Sequence, residues 1–215
     1  MQYARPLPAY LVERYALWKS TTFETNRLTY HDLATHGQHP RIMVVSCCDS
    51  RLQVTSIFAA DVGELFIHRN IANLIPQYEP DGRHHGTSAA VEYAVKSLKV
   101  AHIVVLGHSG CGGVEGCYNM CSGCAPELDE QTSFVGRWLD IMRPGFDTLP
   151  PGDDASRKRA LEKSSILISL ENLMTFPFVR SAVVDGSLSL HGLWKNIGEG
   201  SLESYNPATD LFESL

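Results

Sequence analysis

Apolar residues fall into short continuous runs in the middle of the chain. The runs at residues 42–45 and 103–106 are typical of strands buried on both faces of a parallel sheet, and residues 64–68 form another candidate strand. Residues 86–98 instead carry apolar positions at the spacing of a helix. This helix leads into a strand at residues 100–106, so the pattern predicts a parallel strand–helix–strand crossover and an α/β fold.

Further helices are predicted on both sides of this unit. Residues 8–37 have the spacing of two helices, and residues 134–142 and 155–176 each have the spacing of one. Pro177 should end the last of them, because proline cannot continue a helix. Apart from the helix at 134–142, we expect residues 113–152 to be loosely ordered.

A pair of strands resembling a hairpin follows, at residues 187–194 and 201–205. We therefore predict a central, mostly parallel β-sheet flanked by helices, with an N-terminal helical arm, C-terminal helices and edge strands. The length of 215 residues and the hydrophobic share of 44% suit one domain with a substantial core. In this prediction residues 1–37 are the arm and residues 38–215 the core of a single domain.

Charge and hydropathy exclude two classes of partner. The net charge is −6, and the only basic cluster is the short one at residues 157–159, which disfavours nucleic-acid binding. No apolar stretch approaches the ~20 residues of a membrane span, and a start containing Arg5, Pro6 and Pro8 lacks the apolar centre of a signal peptide. We expect a cytoplasmic protein without a membrane partner.

Two short strings, Cys47-Cys48-Asp49-Ser50-Arg51 and His108-Ser109-Gly110-Cys111-Gly112-Gly113, each follow a predicted buried strand. The carboxyl ends of parallel strands meet at one edge of a sheet, where ligands bind, so the strings should lie close together. The thiolates of Cys47 and Cys111 and the imidazole of His108 form a set that suits Zn²⁺ and leaves one of four positions open, as in catalytic sites. A single buried Cys is usually structural, so the combination carries the prediction.

Asp49 and Arg51 lie two residues apart, directly after Cys47. Their spacing lets both face one side of the chain, where the guanidinium can hold the carboxylate ionised through a bidentate pair. An ordinary surface ion pair is the alternative, since such pairs are common and weak.

With these strings, the chain resembles the β-class carbonic anhydrases, and the likeness spans roughly residues 37–194. It is also carried by the strings at residues 63–73, 92–95 and 175–180. The resemblance implies a lyase with one Zn²⁺ per chain, in which a zinc-bound hydroxide converts carbon dioxide to bicarbonate and a proton. It implies Cys47, His108 and Cys111 as the protein ligands of that zinc.

The resemblance also implies roles for the residues around the metal. Asp49 and Arg51 orient the hydroxide, and in some members the aspartate replaces water on zinc, which gives a closed, inactive form. Gln38 and Tyr93 match the substrate-binding residues of the plant-like subgroup, and this match favours an open resting site. The other implied substrate contacts are the apolar side chains of Phe66 and Ile71 and the backbone amide of Gly112.

The family assembles through N-terminal helices into dimers, often into tetramers or octamers, and residues 10–18 fit such an arm. Hydration also releases a proton. His84 and His85 are candidates to carry it to buffer, since histidine titrates near neutral pH.

Other functions stay open on the sequence. Cys117, Cys121 and Cys124 have the spacing of an iron–sulfur cluster, although an auxiliary metal site or free thiols would use the same residues. Relatives on this scaffold attack carbon disulfide or carbonyl sulfide instead of carbon dioxide. A structural zinc module is disfavoured, because it has no need of Asp49 and Arg51.

Overall fold

The computed structural model describes residues 3–81 and 85–215, and only the backbone of His85. The chain divides into two compact units, Met1–His39 and Pro40–Leu215. Two helices form the first unit as predicted, α1 at Ala9–Trp18 and α2 at Arg27–His36. The rings of Trp18, Phe23 and Tyr30 contact one another in tilted and edge-on arrangements, with centroids 5.3–5.9 Å apart.

A six-stranded sheet in the order β2-β1-β3-β4-β5-β6 forms the centre of the second unit. Strands β2, β1, β3 and β4 pair in parallel, whereas β5 pairs antiparallel with both β4 and β6. This confirms the predicted, mostly parallel sheet with edge strands. The strands are β1 (Ile42–Cys47), β2 (Leu65–Asn70), β3 (His102–His108), β4 (Ser189–Lys195), β5 (Leu202–Asn206) and β6 (Leu211–Ser214).

Helices connect the strands and flank the sheet. The predicted helix before β3 is present, because α4 (His85–Glu92) continues through a π-helical segment at Tyr93–Leu98. No single helix within the described ranges has the length and apolar content to cross a membrane. The helices α8 (Asp154–Leu173) and α9 (Pro177–Val184) meet both criteria only when taken together, and the chain bends by 90° between them. The helices are α3 (Val54–Ile57), α4 (His85–Glu92), α5 (Gly112–Cys121), α6 (Phe134–Leu139), α7 (Arg143–Asp147), α8 (Asp154–Leu173) and α9 (Pro177–Val184).

The long predicted helix is α8, which ends three residues before the predicted end. Asp153 caps its start by accepting the amide of Ser156 at 2.7 Å. Its end follows from Pro177, the first residue of α9, because a proline disfavours helical backbone in the residue before it. Phe176 is accordingly extended, with φ −72° and ψ 119°.

The expectation of a loosely ordered segment after Gly113 is wrong. Helix α5 begins at Gly112, and it buries Val114, Cys117 and Tyr118 at helical spacing against the core. Its start resembles a loop in sequence because two glycines open it. Tertiary packing of this apolar face stabilises the helix despite their low propensity.

Apolar side chains pack on both faces of the sheet. Val44 and Leu106 belong to one cluster, whereas Met43 and Val105 alternate into the other. Helix α8 approaches β3 at Gly107, where an added Cβ would lie only 2.8 Å from Ile166. The close approach brings the first half of α8 beside the carboxyl ends of the central strands.

Candidate metal centre

Three buried side chains meet at the carboxyl ends of β1 and β3. Cys47 ends β1 and His108 ends β3, and the two strands are parallel neighbours. Cys111 follows as the N-cap of α5, and its Sγ lies 3.8 Å from the Sγ of Cys47. One ligand atom from each residue lies within 4.8 Å of the others, and within residues 3–81 and 85–215 no other three or more His, Cys, Asp or Glu side chains gather in this way. The predicted ligand set is therefore together in space.

His108 has the orientation of a metal ligand. Its Nδ1 donates to the carbonyl of Ser109 at 3.0 Å, so Nε2 is left with its lone pair. Nε2 is buried without a hydrogen-bond partner. An unsatisfied buried acceptor costs about 1–3 kcal/mol, a cost that a metal ion at this nitrogen removes. The residues present thus fit a metal ion.

The hydrogen bond between the two cysteines favours the thiolate form of Cys47 and the protonated form of Cys111. The hydrogen bond with Cys111 is the main cause that lowers the pKa of Cys47 to about 4, against the opposing effect of burial. That hydrogen bond and burial raise the pKa of Cys111, although the amides of Val114 and Gly113 at the start of α5 donate to its sulfur. The pair thus retains one proton, which a metal ion would displace.

The backbone beside Cys47 is strained. Ala72 and Asn73 have φ angles of 63° and 52°, in the left-handed region that costs about 1–3 kcal/mol for a residue other than glycine. In this conformation the amide of Ala72 donates to the sulfur of Cys47. The carbonyl of Asn73 accepts from Ser169 on α8 at 3.2 Å, which holds the turn. A Cβ at Gly113 would lie 2.9 Å from Ala72, so this position needs glycine.

Asp49 and Arg51 form the bidentate pair that their spacing allows. Arg51 donates from Nε to Oδ1 at 2.9 Å and from Nη2 to Oδ2 at 2.7 Å. This contact holds the pKa of Asp49 well below its usual range. Oδ2 also lies 3.9 Å from Nε2 of His108, so a carboxylate faces the group of ligands.

Three polar contacts that the sequence analysis missed fix the two loops. Arg51 donates to the carbonyl of Gly110 at 2.9 Å and so links both ligand-bearing strings. Arg69 donates to the carbonyls of Cys47 and Asp49 at 2.9 and 2.7 Å. Arg69 belongs to the string at residues 63–73 that carries the family likeness, and this is the signal that could have revealed it.

Glu162 on α8 is the third missed contact. It is 6% exposed, and its carboxylate accepts from the amide of Gly110 at 2.6 Å and from the indole of Trp194 at 3.1 Å. Burial raises its pKa, and these donors partly offset that effect. The buried face of α8 also carries Ser165, Ser169 and Asn172, so no apolar periodicity in the sequence marks Glu162 as a buried residue.

We predict that Glu162→Ala weakens zinc binding about 10- to 100-fold, the range for losing the support of a metal ligand. The variant leaves two buried donors unpaired, so the free energy of unfolding should fall by about 1–3 kcal/mol. Competition with a zinc chelator and urea denaturation measure the two effects. Glu162→Gln retains one acceptor oxygen and should show smaller losses; wild-type zinc affinity in Glu162→Ala would refute this role.

The predicted substrate residues lie at several places in the structure. The rings of Phe66 and Tyr93 contact each other, with centroids 5.8 Å apart. Tyr93 is 48% exposed and Ile71 is 41% exposed, so both side chains present apolar surface to solvent. Gly112 is the first residue of α5, directly after Cys111.

The roles predicted for the residues around the group of ligands, in substrate binding, catalysis and proton transfer, stay untested predictions. Gln38 belongs to the N-terminal unit, which is described by itself. His84 lies outside the described residues, and so does the side chain of His85.

Cys117, Cys121 and Cys124 do not form a common site in the described structure. The sulfurs of Cys117 and Cys121 lie 3.9 Å apart one turn along α5, whereas Cys124 is exposed beyond the helix. Burial raises the pKa of Cys117, as expected for a thiol among apolar side chains. All six cysteines are free in the described structure.

Comparisons with known proteins identify the family. The family model described as carbonic anhydrase matches residues 42–202. Beta carbonic anhydrase 3 of Arabidopsis thaliana is 34% identical over 86% of this chain and 72% of its own length. A carbonic anhydrase of Synechocystis is also 34% identical, over 91% of this chain and 70% of its own length.

Solved structures similar to this chain are also β-carbonic anhydrases. The β-carbonic anhydrase CcaA is 31% identical with a TM-score of 0.83, covering 96% of this chain and 91% of its own. A tetrameric β-carbonic anhydrase of Sordaria macrospora is 29% identical with a TM-score of 0.74, covering 91% of this chain and 94% of its own. The chain, with its buried Cys–His–Cys group beside a paired aspartate, therefore belongs to the β-carbonic anhydrases and is an enzyme of that kind.

Proposed function

We propose that this enzyme catalyses the reversible hydration of carbon dioxide to bicarbonate and a proton, with one Zn²⁺ per chain held by Cys47, His108 and Cys111. The observation that carries the proposal is the unpartnered, buried Nε2 of His108, which faces two sulfurs and the carboxylate of Asp49. Two soft sulfurs and one imidazole are a donor set that suits zinc and leaves a fourth position for a reactant.

When bound, zinc supplies a nucleophilic oxygen from water near neutral pH and a Lewis acid for the charge that develops on the substrate. Asp49 is ionised through its pair with Arg51, and an ionised carboxylate is a pure hydrogen-bond acceptor. The carboxylate of Asp49 accepts a hydrogen bond from the attacking oxygen and thereby directs a lone pair of that oxygen at the carbon of CO₂. Since Arg51 engages both carboxylate oxygens, we propose the open form as the resting state.

The substrate is small and nonpolar, so it needs an apolar slot with few donors. Phe66, Ile71 and Tyr93 supply apolar surface, and the first amide of α5, at Gly112, supplies a donor for the oxyanion that forms. Gln38 is a further polar contact in this proposal. His84 and His85 are proposed to carry the released proton to buffer.

Stopped-flow measurement of CO₂ hydration on the protein with its metal content determined tests this function. We expect one zinc per chain and turnover that a chelator abolishes and added zinc restores. Carbonyl sulfide and carbon disulfide serve as competing substrates in parallel assays. Faster turnover of either one, or iron with visible absorption in place of zinc, would contradict the proposal.

We further propose that the chain forms a dimer at least, through its N-terminal unit. Within α1 and α2 no residue is buried, and α1 leaves Tyr10, Tyr15 and Leu17 at least 57% exposed. Apolar surface of this extent is typical of a protein interface. A relative of this family is described as tetrameric.

Analytical ultracentrifugation should find a dimer or a larger assembly, which Leu17→Glu with Tyr10→Glu shifts towards monomer by placing charge in an apolar interface. The matched control Glu13→Gln alters an α1 residue without adding charge to apolar surface, and should leave the assembly unchanged. A monomeric wild-type protein at micromolar concentration would refute the proposal.

A further inference from the structure

Two histidines face each other at the end of the sheet opposite to the Cys–His–Cys group. His102 begins β3 and His191 is the third residue of β4, its parallel neighbour. In the register of this pair His191 is opposite Val104, so His102 and His191 are diagonal neighbours on one face. Nδ1 of His102 lies 3.1 Å from Nε2 of His191.

This separation matches two nitrogen ligands of one metal ion. Metal–nitrogen bonds of about 2.0–2.1 Å place two nitrogens roughly 2.8–3.4 Å apart, for bond angles between 90° and the tetrahedral angle. The two rings are tilted by 47° with centroids 5.2 Å apart, and a shared metal ion requires the rings to turn until both lone pairs point at it.

We propose that His102 and His191 form a second site, for a divalent late transition metal such as Ni²⁺, Cu²⁺ or Zn²⁺. Imidazole nitrogens prefer these ions to Mg²⁺ or Ca²⁺. No third His, Cys, Asp or Glu joins the two rings in the part of the chain that the structure describes, so water completes the coordination. With only two protein ligands, the site exchanges its metal more readily than the Cys–His–Cys group.

Metal binding requires no loss of a proton from the two histidines. In the metal-free protein one facing nitrogen donates the hydrogen bond and the other accepts it. Metal binding needs a lone pair on both, so the shared proton moves through water to the other nitrogen of the same ring. Partial desolvation of the ring and the neighbouring His102 lower the pKa of His191, which favours the neutral form that can bind a metal.

The proposed histidine site shares no ligand with the Cys–His–Cys group. His102 and His108 are the first and last residues of β3, so they are about 20 Å apart along the strand. Occupation of one site therefore leaves the ligands of the other untouched, and the two are tested independently.

Calorimetric titration of Ni²⁺ into the full chain, loaded with zinc and free of any affinity tag, tests the proposal. We expect one Ni²⁺ per chain, with the zinc retained by elemental analysis. Single variants His102→Gln and His191→Gln should each weaken Ni²⁺ binding about tenfold or more, since each removes one of two protein ligands. His31→Gln, an exposed histidine of α2, is the matched control and should bind as wild type.

Two outcomes would overturn the proposal. Absence of saturable Ni²⁺ binding in the wild type would show that the rings form a hydrogen-bonded pair only. Wild-type affinity in both His102→Gln and His191→Gln would place the ion elsewhere. Neither result bears on CO₂ hydration, which all three variants should retain in full.

Discussion

Asp49→Asn lowers the turnover of CO₂ about 10²- to 10⁴-fold while the zinc stays bound, the range for losing a group that directs a proton in the transition state. The amide cannot reproduce the carboxylate, because Arg51 offers only donors to both of its oxygens. An asparagine turns its oxygen to the guanidinium and its NH₂ group to the attacking oxygen, or the reverse, and one contact is lost either way. Stopped-flow assays and zinc content measure the two properties.

Arg51→Lys is the companion variant for this result. Lysine keeps the positive charge but cannot supply the planar, two-point contact to Asp49 together with the bond to Gly110. Turnover should therefore fall, and by less than in Asp49→Asn. If Asp49→Asn turned over within about twofold of wild type, the pair would be an ordinary surface ion pair of small effect.

Cys47→Ser produces the largest loss, of both metal and activity. A serine hydroxyl stays protonated at neutral pH and is a hard oxygen donor, whereas the proposed Zn²⁺ site depends on soft, charged sulfur. The buried Nε2 of His108 then loses its metal partner as well. We expect zinc affinity to fall by at least about 10²-fold, more than for the loss of a residue that only supports a ligand. After dialysis, CO₂ hydration should approach the uncatalysed rate.

The adjacent cysteine is the matched control for this variant. Cys48 is exposed, while Cys47 is 5% exposed within the group of ligands. Cys48→Ser should therefore keep the zinc content and turnover of the wild type. Full activity and one zinc per chain in Cys47→Ser would remove the proposed mechanism.

Much of the fold could be predicted because its signals are local. The continuous apolar runs at residues 42–45 and 103–106 are the buried centres of β1 and β3, since a strand covered on both faces has no polar side to alternate with. Both runs end at ligand-bearing strings, so the parallel topology by itself brings Cys47 and His108 together. Prediction failed where the local signal was weak: we expected residues 113–152 to be loosely ordered apart from one helix, but burial of an apolar face stabilises α5 at the start of this segment.

By itself, the sequence determined the fold class, the ligand set and the Asp49–Arg51 pair, each of which depends on residue types at short, fixed spacings. Only the tertiary structure decided the contacts between residues far apart in the chain. Glu162 reaches Gly110 across 52 residues, and His102 meets His191 across 89. Such pairs leave no periodic pattern in the chain, because their contact depends on the packing of α8 on the sheet and on the register of β3 and β4.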